Sequence, residues 1–409
     1  MLTVKTPDQV LAILEETFPA KTGEETVPLE KALGRVLSRD IAAGEHIPGF
    51  HRSTVDGYAL RGADTFGCSA AIPAILPLAG EVVMGRAAPG PLAPGSCVAV
   101  PTGGMVPAGA DAVVMLEQVE DYGDGTVGVC APVAPGMNMI FRGDDVTPGR
   151  LVLPSGRRLQ PQDLGALAAL GACRVPVRKR PVAGILSTGD ELVPVGEAPG
   201  PGQVRDVNSV LLGAVAEEAG ADCRLYGIIP DREEALARAI DTALGECDLV
   251  MVSGGSSVGT RDIVCRVLED RGRVLLHGIA MKPGKPTILG EVAGKAVLGL
   301  PGNPVAAFFT AWLFGRFLVS RMMGRRARRY TIPARLAESV EANHGRSLYS
   351  GATLVREGEE WLAWPIRGKS GLITTLAATN GFFHVPRDCE GLPKGARVEV
   401  SLYTVEQEE

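Results

Sequence analysis

No two of the eight cysteines lie close in sequence. Cys247 and Cys265 come nearest, 18 positions apart, while Cys68, Cys97, Cys130, Cys173, Cys223 and Cys389 are more isolated. That spacing excludes CxxC metal and redox motifs, and the thiols read as small buried hydrophobes in a reducing compartment. Positive charge is not in excess either: 41 basic against 47 acidic residues give a net charge of −6, unfavourable for nucleic acid or an anionic membrane. The one basic cluster, Arg321, Arg325, Arg326, Arg328 and Arg329, follows a long apolar pattern and precedes a proline-containing strand, as a solvated helix end and linker would. The most apolar run, Val305 to Gly315, stops at Arg316 and falls short of the roughly 18 residues of a membrane span. No basic-then-apolar leader opens the chain. TPDQVLAILEETF is instead a helix start, with Thr6 as cap, Pro7 in the first turn and Gln9 closing the box. A soluble, cytoplasmic protein without nucleic-acid or membrane partners is expected.

What is abundant is glycine and proline: 52 and 30 in 409 residues, one position in five, which excludes an all-helical protein. With 45% hydrophobic and 22% charged residues the chain is globular, and its length suggests about three domains. Two helices, at Thr6 to Phe18 and from Pro161 to Gly171, bracket a glycine- and proline-rich block, and they are expected to pack together as one split domain. Between them, residues 45–145 carry short β-type runs (CVAVPT, DAVVML, TVGVCAPV) broken by turns, an all-β insertion. From Pro181 strand and helix alternate, which predicts a doubly wound α/β sheet whose first strands are parallel, with a hairpin in TILGEVAGKAVLGL. After Tyr330 alternating β patterns return, as in a small barrel or sandwich.

In such a sheet the functional loops lie beyond the carboxyl ends of the strands. Here those loops are STGDEL, PD, SGGSSVGTRD, AMKPGK and, at the last helix start, LPGNP. Ser187, Thr188, Gly189, Gly254 and Gly255 belong to loops that let a backbone approach an anion. Pro301, Gly302 and Asn303 lead into a helix N-terminus, with Asn303 and Pro304 as cap and first turn. Lys282 and Lys285, stiffened by Pro283 and Gly284, suit a phosphate or oxyanion, or are simply exposed. This is not a Walker loop, since Pro286 stands where the magnesium-binding hydroxyl belongs.

Asp190, Glu191, Asp231 and Asp262 follow the same strands and could hold magnesium bridging phosphates. Asp231 could instead cap a helix with Glu234, and Asp262 could favour the dipole of the helix it opens. GSSVG also fits the nucleophile elbow of serine hydrolases with Ser257 as nucleophile. No HGGG-type oxyanion segment accompanies it, and His277, His344 and His384 lie in or beside predicted strands.

Taken in order, TGDEL, PD, SGGxSxGxxD, KPGKP and LPGNP resemble the molybdopterin molybdenumtransferase (MoeA) family, to which the C-terminal domain of gephyrin is related. FHRSTVDGYA, PTGG, FRGDD and SGLITTLAATNGF resemble its remaining motifs, so the likeness spans nearly the whole chain. It departs at Ser256, where many members have Val, and at Arg52 to Val55 before Asp56. The resemblance implies a multidomain α/β architecture of four domains: split helical (1–44 plus 146–180), β-rich insertion (45–145), α/β molybdopterin-binding (181–326) and C-terminal β-barrel (327–409). It further implies insertion of molybdate into adenylylated molybdopterin with release of AMP, Mg2+ or a similar divalent ion as cofactor, and a homodimer with its cleft between subunits. Molybdopterin adenylyltransferase and cofactor-receiving enzymes would be its partners. Carried over by position are Asp56, Asp145, Glu191, Asp231 and Asp262 as catalytic residues, the last three as metal ligands. Thr102, Arg142, Ser187, Thr188, Gly189, Gly254, Gly255, Ser257, Lys282, Lys285, Pro301, Gly302, Asn303 and Ser370 become substrate contacts. The rivals are a molybdopterin adenylyltransferase, on the shared α/β fold, and a non-catalytic scaffold of the gephyrin type. Residues that recognise charge and size do not separate molybdate from tungstate.

Overall fold

The computed structural model describes residues 4–19, 22–254, 258–325, 330–366, 368 and 371–404, with backbone alone at 258–262. Helix α1 (Pro7–Thr17) begins as its sequence predicts: Thr6 Oγ1 accepts from the Gln9 amide at 3.3 Å, and Gln9 Oε1 accepts from the Thr6 amide at 3.0 Å. Its buried face, Val10, Leu14 and Phe18, joins the core of the α/β sheet. Helix α2 (Pro161–Ala169) buries Leu167 in a separate core with Leu37, Leu159, Val175 and Val177. The two helices therefore do not pack on each other as expected. Antiparallel strands unite their segments instead: Glu24–Pro28 pairs with Arg174–Arg178, and Ile41–Ala42 with Leu151–Leu153. A helix face read from periodicity shows that it will be buried, not against which neighbour.

The insertion is a six-stranded sheet in the order Ala112–Met115, Gly57–Leu60, Cys97–Val100, Ala74–Glu81, Thr126–Val129, Val119–Asp121. Side chains alternate between its faces, so Tyr58 and Leu60 enter one core and Ala59 the other.

The α/β sheet contains β1 (Val182–Thr188), β2 (Asp222–Ile229), β3 (Leu249–Gly254), β4 (Arg273–His277), β5 (Ile288–Val292) and β6 (Lys295–Leu300), in the order β2-β1-β3-β6-β5-β4. β1 is parallel to β2 and β3, and β3 to β6, whereas β5 and β6 form the expected hairpin. One face is covered by α3 (Val207–Ala219) and α6 (Pro304–Met322), the other by α4 (Glu233–Glu246) and α5 (Val258–Arg271). Ile185 and Leu186 on β1 enter opposite cores, which is why the strand reads as a continuous apolar run.

α6 corrects the expectation that its apolar run ends at Arg316. It runs 19 residues to Met322, apolar and long enough to cross a bilayer, but 78% of that stretch is buried inside the protein as a core helix. The Arg316 guanidinium lies 3.7 Å over the Trp312 ring and pairs with Glu218 at 2.8 Å, so the charge is accommodated without breaking the helix.

The C-terminal strands close on themselves. Ser347–Glu357 pairs with both Glu360–Pro365 and Gly381–Val385, while Thr331–Leu336 and Arg397–Leu402 complete the barrel. Phe308 and Phe309 of α6 pack edge-on against Tyr403 and Phe382 of the barrel at 5.3 and 5.5 Å. The short strand Met281–Lys282 leaves the α/β domain and pairs in parallel with Ser347 and Leu348 of the barrel.

Candidate functional site

β1 and β3 lie side by side, and at their carboxyl ends the chains nearly touch: a Cβ on Gly254 would meet the Thr188 carbonyl oxygen at 2.1 Å, and Gly254 has φ +149°. Only glycine fits there. Thr188 is 1% exposed, and its hydroxyl donates to Asp231 Oδ1 at 2.5 Å, tying the β1 loop to the β2 loop. The Asp231 amide in turn donates to Asp190 Oδ1 at 3.2 Å. Asp231 thus links strand-end loops and does not cap α4, whose N-cap position is Arg232. Glu191 is exposed, its carboxylate folded back over Gly189, where a Cβ would meet Glu191 Oε2 at 2.7 Å.

These loops line a cleft of about 340 Å³ with Thr188, Glu191, Gly254, Gly302 and Asn303 among its walls. Two further wall residues escaped the sequence reading. Asp206 is buried, accepting from the Ser187 hydroxyl at 2.8 Å and the Ser209 amide at 3.1 Å as the cap of α3. Ser187 is therefore committed beneath the cleft floor. Asn208 Nδ2 donates to Ser253 Oγ at 2.7 Å and to the Gly302 carbonyl at 2.8 Å, while its Oδ1 is buried without a hydrogen-bond partner. A buried amide oxygen left unpaired beside a cleft wall is an unusual feature, and it leaves Asn208 held through its Nδ2 alone. The cap pattern of Asp206 was visible in DVNS, but nothing local showed which cavity α3 would enter.

A second compartment of about 830 Å³ shares Asn303 and Gly371 with the first and lies between the α/β domain and the barrel. Lys282, Lys285 and Pro301 line it, together with Arg346, a barrel residue that the sequence reading missed. Lys282 Nζ donates to Asn343 Oδ1 at 3.3 Å. Three cations from two domains face one space against a single carboxylate, Glu341, an arrangement suited to an oxyanion.

The first-half residues form a different cluster. Asp56 Oδ1 accepts from the Thr102 amide at 2.7 Å and its hydroxyl at 3.1 Å. Next to Asp56, Gly57 is pressed on the adjacent strand, where a Cβ would meet the Val114 carbonyl at 1.9 Å. The loop with Arg142 and Asp145 is docked alongside: Met139–Ile140 pairs with Arg52–Ser53, and the Arg142 amide donates to His51 Nδ1 at 3.1 Å. Asp56, Thr102, Arg142 and Asp145 are all exposed, and none lines either compartment of the cleft. Within one chain, then, the named residues assemble into two groups. Gly255, Ser257, Ser370 and the side chain of Asp262 lie outside the described residues.

Among the described residues no three His, Cys, Asp or Glu side chains gather as a metal cage. Glu191 and Asp231 stand on neighbouring strand-end loops and are hard oxygen donors, the chemistry magnesium takes when one or two carboxylates are joined by water and substrate phosphate. All eight cysteines are free thiols.

Three family models match in sequence order: "MoeA N-terminal region (domain I and II)" over residues 5–171, "Probable molybdopterin binding domain" over 184–320 and "MoeA C-terminal region (domain IV)" over 333–403. The molybdopterin molybdenumtransferase of Bacillus subtilis is 32% identical over 410 residues, covering 98% of this chain and 95% of the relative. That of Haemophilus influenzae is 36% identical over 326 residues, 80% of this chain and 79% of the relative. The crystal structure of the molybdopterin biosynthesis MoeA protein from Pyrococcus horikoshii OT3 superposes with a TM-score of 0.86 at 33% identity, covering 98% of this chain and all of that one. With the order of its domains, its strand-end loops and its relatives in agreement, the chain belongs to the molybdopterin molybdenumtransferase (MoeA) family.

Proposed function

We propose that the protein is the transferase of molybdenum cofactor biosynthesis that inserts molybdate into adenylylated molybdopterin and releases AMP. The observation that carries this reading is the two-compartment cleft, polar and carboxylate-edged on one side and tri-cationic on the other. An oxometalate dianion and a phosphoanhydride repel each other, so their approach needs fixed cations and amide donors. Lys282, Lys285 and Arg346 would hold the oxometalate. Asn208 and the glycine-lined ends of β1 and β3 would orient the organic substrate, and Thr188 keeps Asp231 in place. Glu191 and Asp231, with Asp262 by position, would hold magnesium, which when bound supplies charge neutralisation at the phosphates.

We further propose a homodimer in which the exposed Asp56 and Arg142 loops of one subunit complete the cleft of the other. Support comes from the separation of the two residue groups within one chain. The free thiols fit a cytoplasmic setting, with molybdopterin adenylyltransferase as supplier and cofactor-receiving enzymes as acceptors.

The test is product analysis with adenylylated molybdopterin, molybdate and magnesium. Formation of molybdenum cofactor and AMP is expected. Synthesis of adenylylated molybdopterin from ATP, without its consumption, would instead identify an adenylyltransferase.

A further inference from the structure

At the far end of α3, about 16 Å from Asn208 by helix rise, lies a cavity of about 560 Å³ that shares no residue with the cleft. It forms where five parts of the chain meet: Leu11 of α1, Arg158 of the segment before α2, the ends of α3 and α6, and the last barrel strand. The meeting is close, since a Cβ on Gly156 would touch the Gly324 carbonyl at 2.9 Å.

Its charge is unbalanced. Arg158, Arg316 and Arg325 line the cavity against one carboxylate, Glu218. Glu218 is already engaged by Arg316, at 2.8 Å to Nε and 3.0 Å to Nη2. Among the described residues neither Arg158 nor Arg325 makes a side-chain hydrogen bond or ion pair. Arg325 is half-buried, and burial, followed by the nearby charge of Arg158, holds its guanidinium below the ordinary value. Two guanidiniums kept together without an acceptor repel each other, and a dianion between them would relieve both the repulsion and the lost hydration. Much of the remaining wall is apolar and aromatic, with Tyr330, Leu402 and Tyr403 beside Leu11, and Ser320, Ser401 and Thr404 add hydroxyls.

We propose that this cavity is a second ligand site, for a small organic phosphate. Its phosphate sits between Arg158 and Arg325, and its apolar or aromatic body lies against Tyr330 and Leu402. A phosphate monoester matches the two free charges with its own near −2, and a volume of this size is that of an ordinary small-ligand pocket.

Calorimetric titration of the full chain with phenyl phosphate at low salt tests the site without using a reaction component. One saturable site per chain is expected in the Lys282→Ala, Lys285→Ala double variant, in which the two cleft lysines are removed. In that background Arg325→Gln and Arg158→Gln should each weaken binding at least tenfold, and phenol should bind at least tenfold more weakly than its phosphate ester. Arg158 is exposed, so its variant serves even if Arg325→Gln fails to fold. Absence of saturable binding in the lysine double variant, or binding by both arginine variants as tight as in that background, would overturn the proposal.

Discussion

The Asp56 cluster and the α/β cleft achieve order in opposite ways. In the insertion the candidate side chains stand on the outside of a sheet whose two faces are already filled, and each is fixed from behind: Asp56 by Thr102 and by the squeezed Gly57, the Arg142 loop by His51. In the α/β domain they line a concave space at the ends of parallel strands, where backbone approach at Gly254 and buried partners such as Asp206 shape the walls. The first region is a presented surface and the second a receptacle. Polar groups held rigid on an exposed surface, away from their own chain's cleft, point to use by something outside that chain.

The largest effect comes from joining the two regions. Asp56→Ala and Glu191→Ala should each retain about 1% of activity or less as homodimers, in line with loss of a transition-state contact. Mixed under conditions of subunit exchange, they should recover about one quarter of wild-type activity, because half the dimers are then mixed and each has one intact cleft. Both variants must first be shown folded and dimeric, with exchange followed by tagged subunits. Lack of recovery would break the comparison by placing both regions in one chain's site.

Within the receptacle, Lys282→Ala or Lys285→Ala should lower kcat/KM for molybdate about 100-fold, since each removes a fixed cation from the oxyanion compartment. Initial rates over a molybdate series measure this. An unchanged KM for the organic substrate would sharpen the division between compartments. Thr188→Val should cost about tenfold in kcat by freeing Asp231, with the melting temperature nearly unchanged, because Asp231 is only partly buried and water can replace the lost donor. Gly254→Ala should lower stability by about 2 kcal/mol or more in urea titration, from the forced contact with Thr188. Gly80→Ala, at φ +138° but with open space around it, should cost less than Gly254→Ala.

Much of this was legible in the sequence because it is local. The apolar runs of β1 and β3, the capping box at Thr6 and the hairpin of β5 and β6 are set by neighbours within a few residues. Strand-end loops also brought Glu191, Lys282 and Asn303 to the cleft, because the rule that clefts lie past parallel strands needs only strand order. What escaped depends on long-range placement. α1 and α2 show the same kind of apolar face, yet one joins the α/β core and the other a small core of its own. Arg346 looks like any exposed arginine until the barrel brings it to the compartment that Lys282 lines. Asn208 sits in an ordinary helix start, and only its bonds to Ser253 and Gly302 fix its side chain at the cleft wall.

The strand Met281–Lys282 is encoded within the α/β domain but hydrogen-bonded as part of the barrel's sheet. Mechanically it is a lever. A rigid-body turn of the barrel would pull on the backbone of Lys282 itself, and it would carry Arg346 in the same direction. The spacing of the cations in the proposed oxyanion compartment is therefore tied to the barrel's angle. A substitution outside the cleft lining, at the packing of Phe308 on Tyr403, would alter the selectivity of the proposed anion site before it altered the fold.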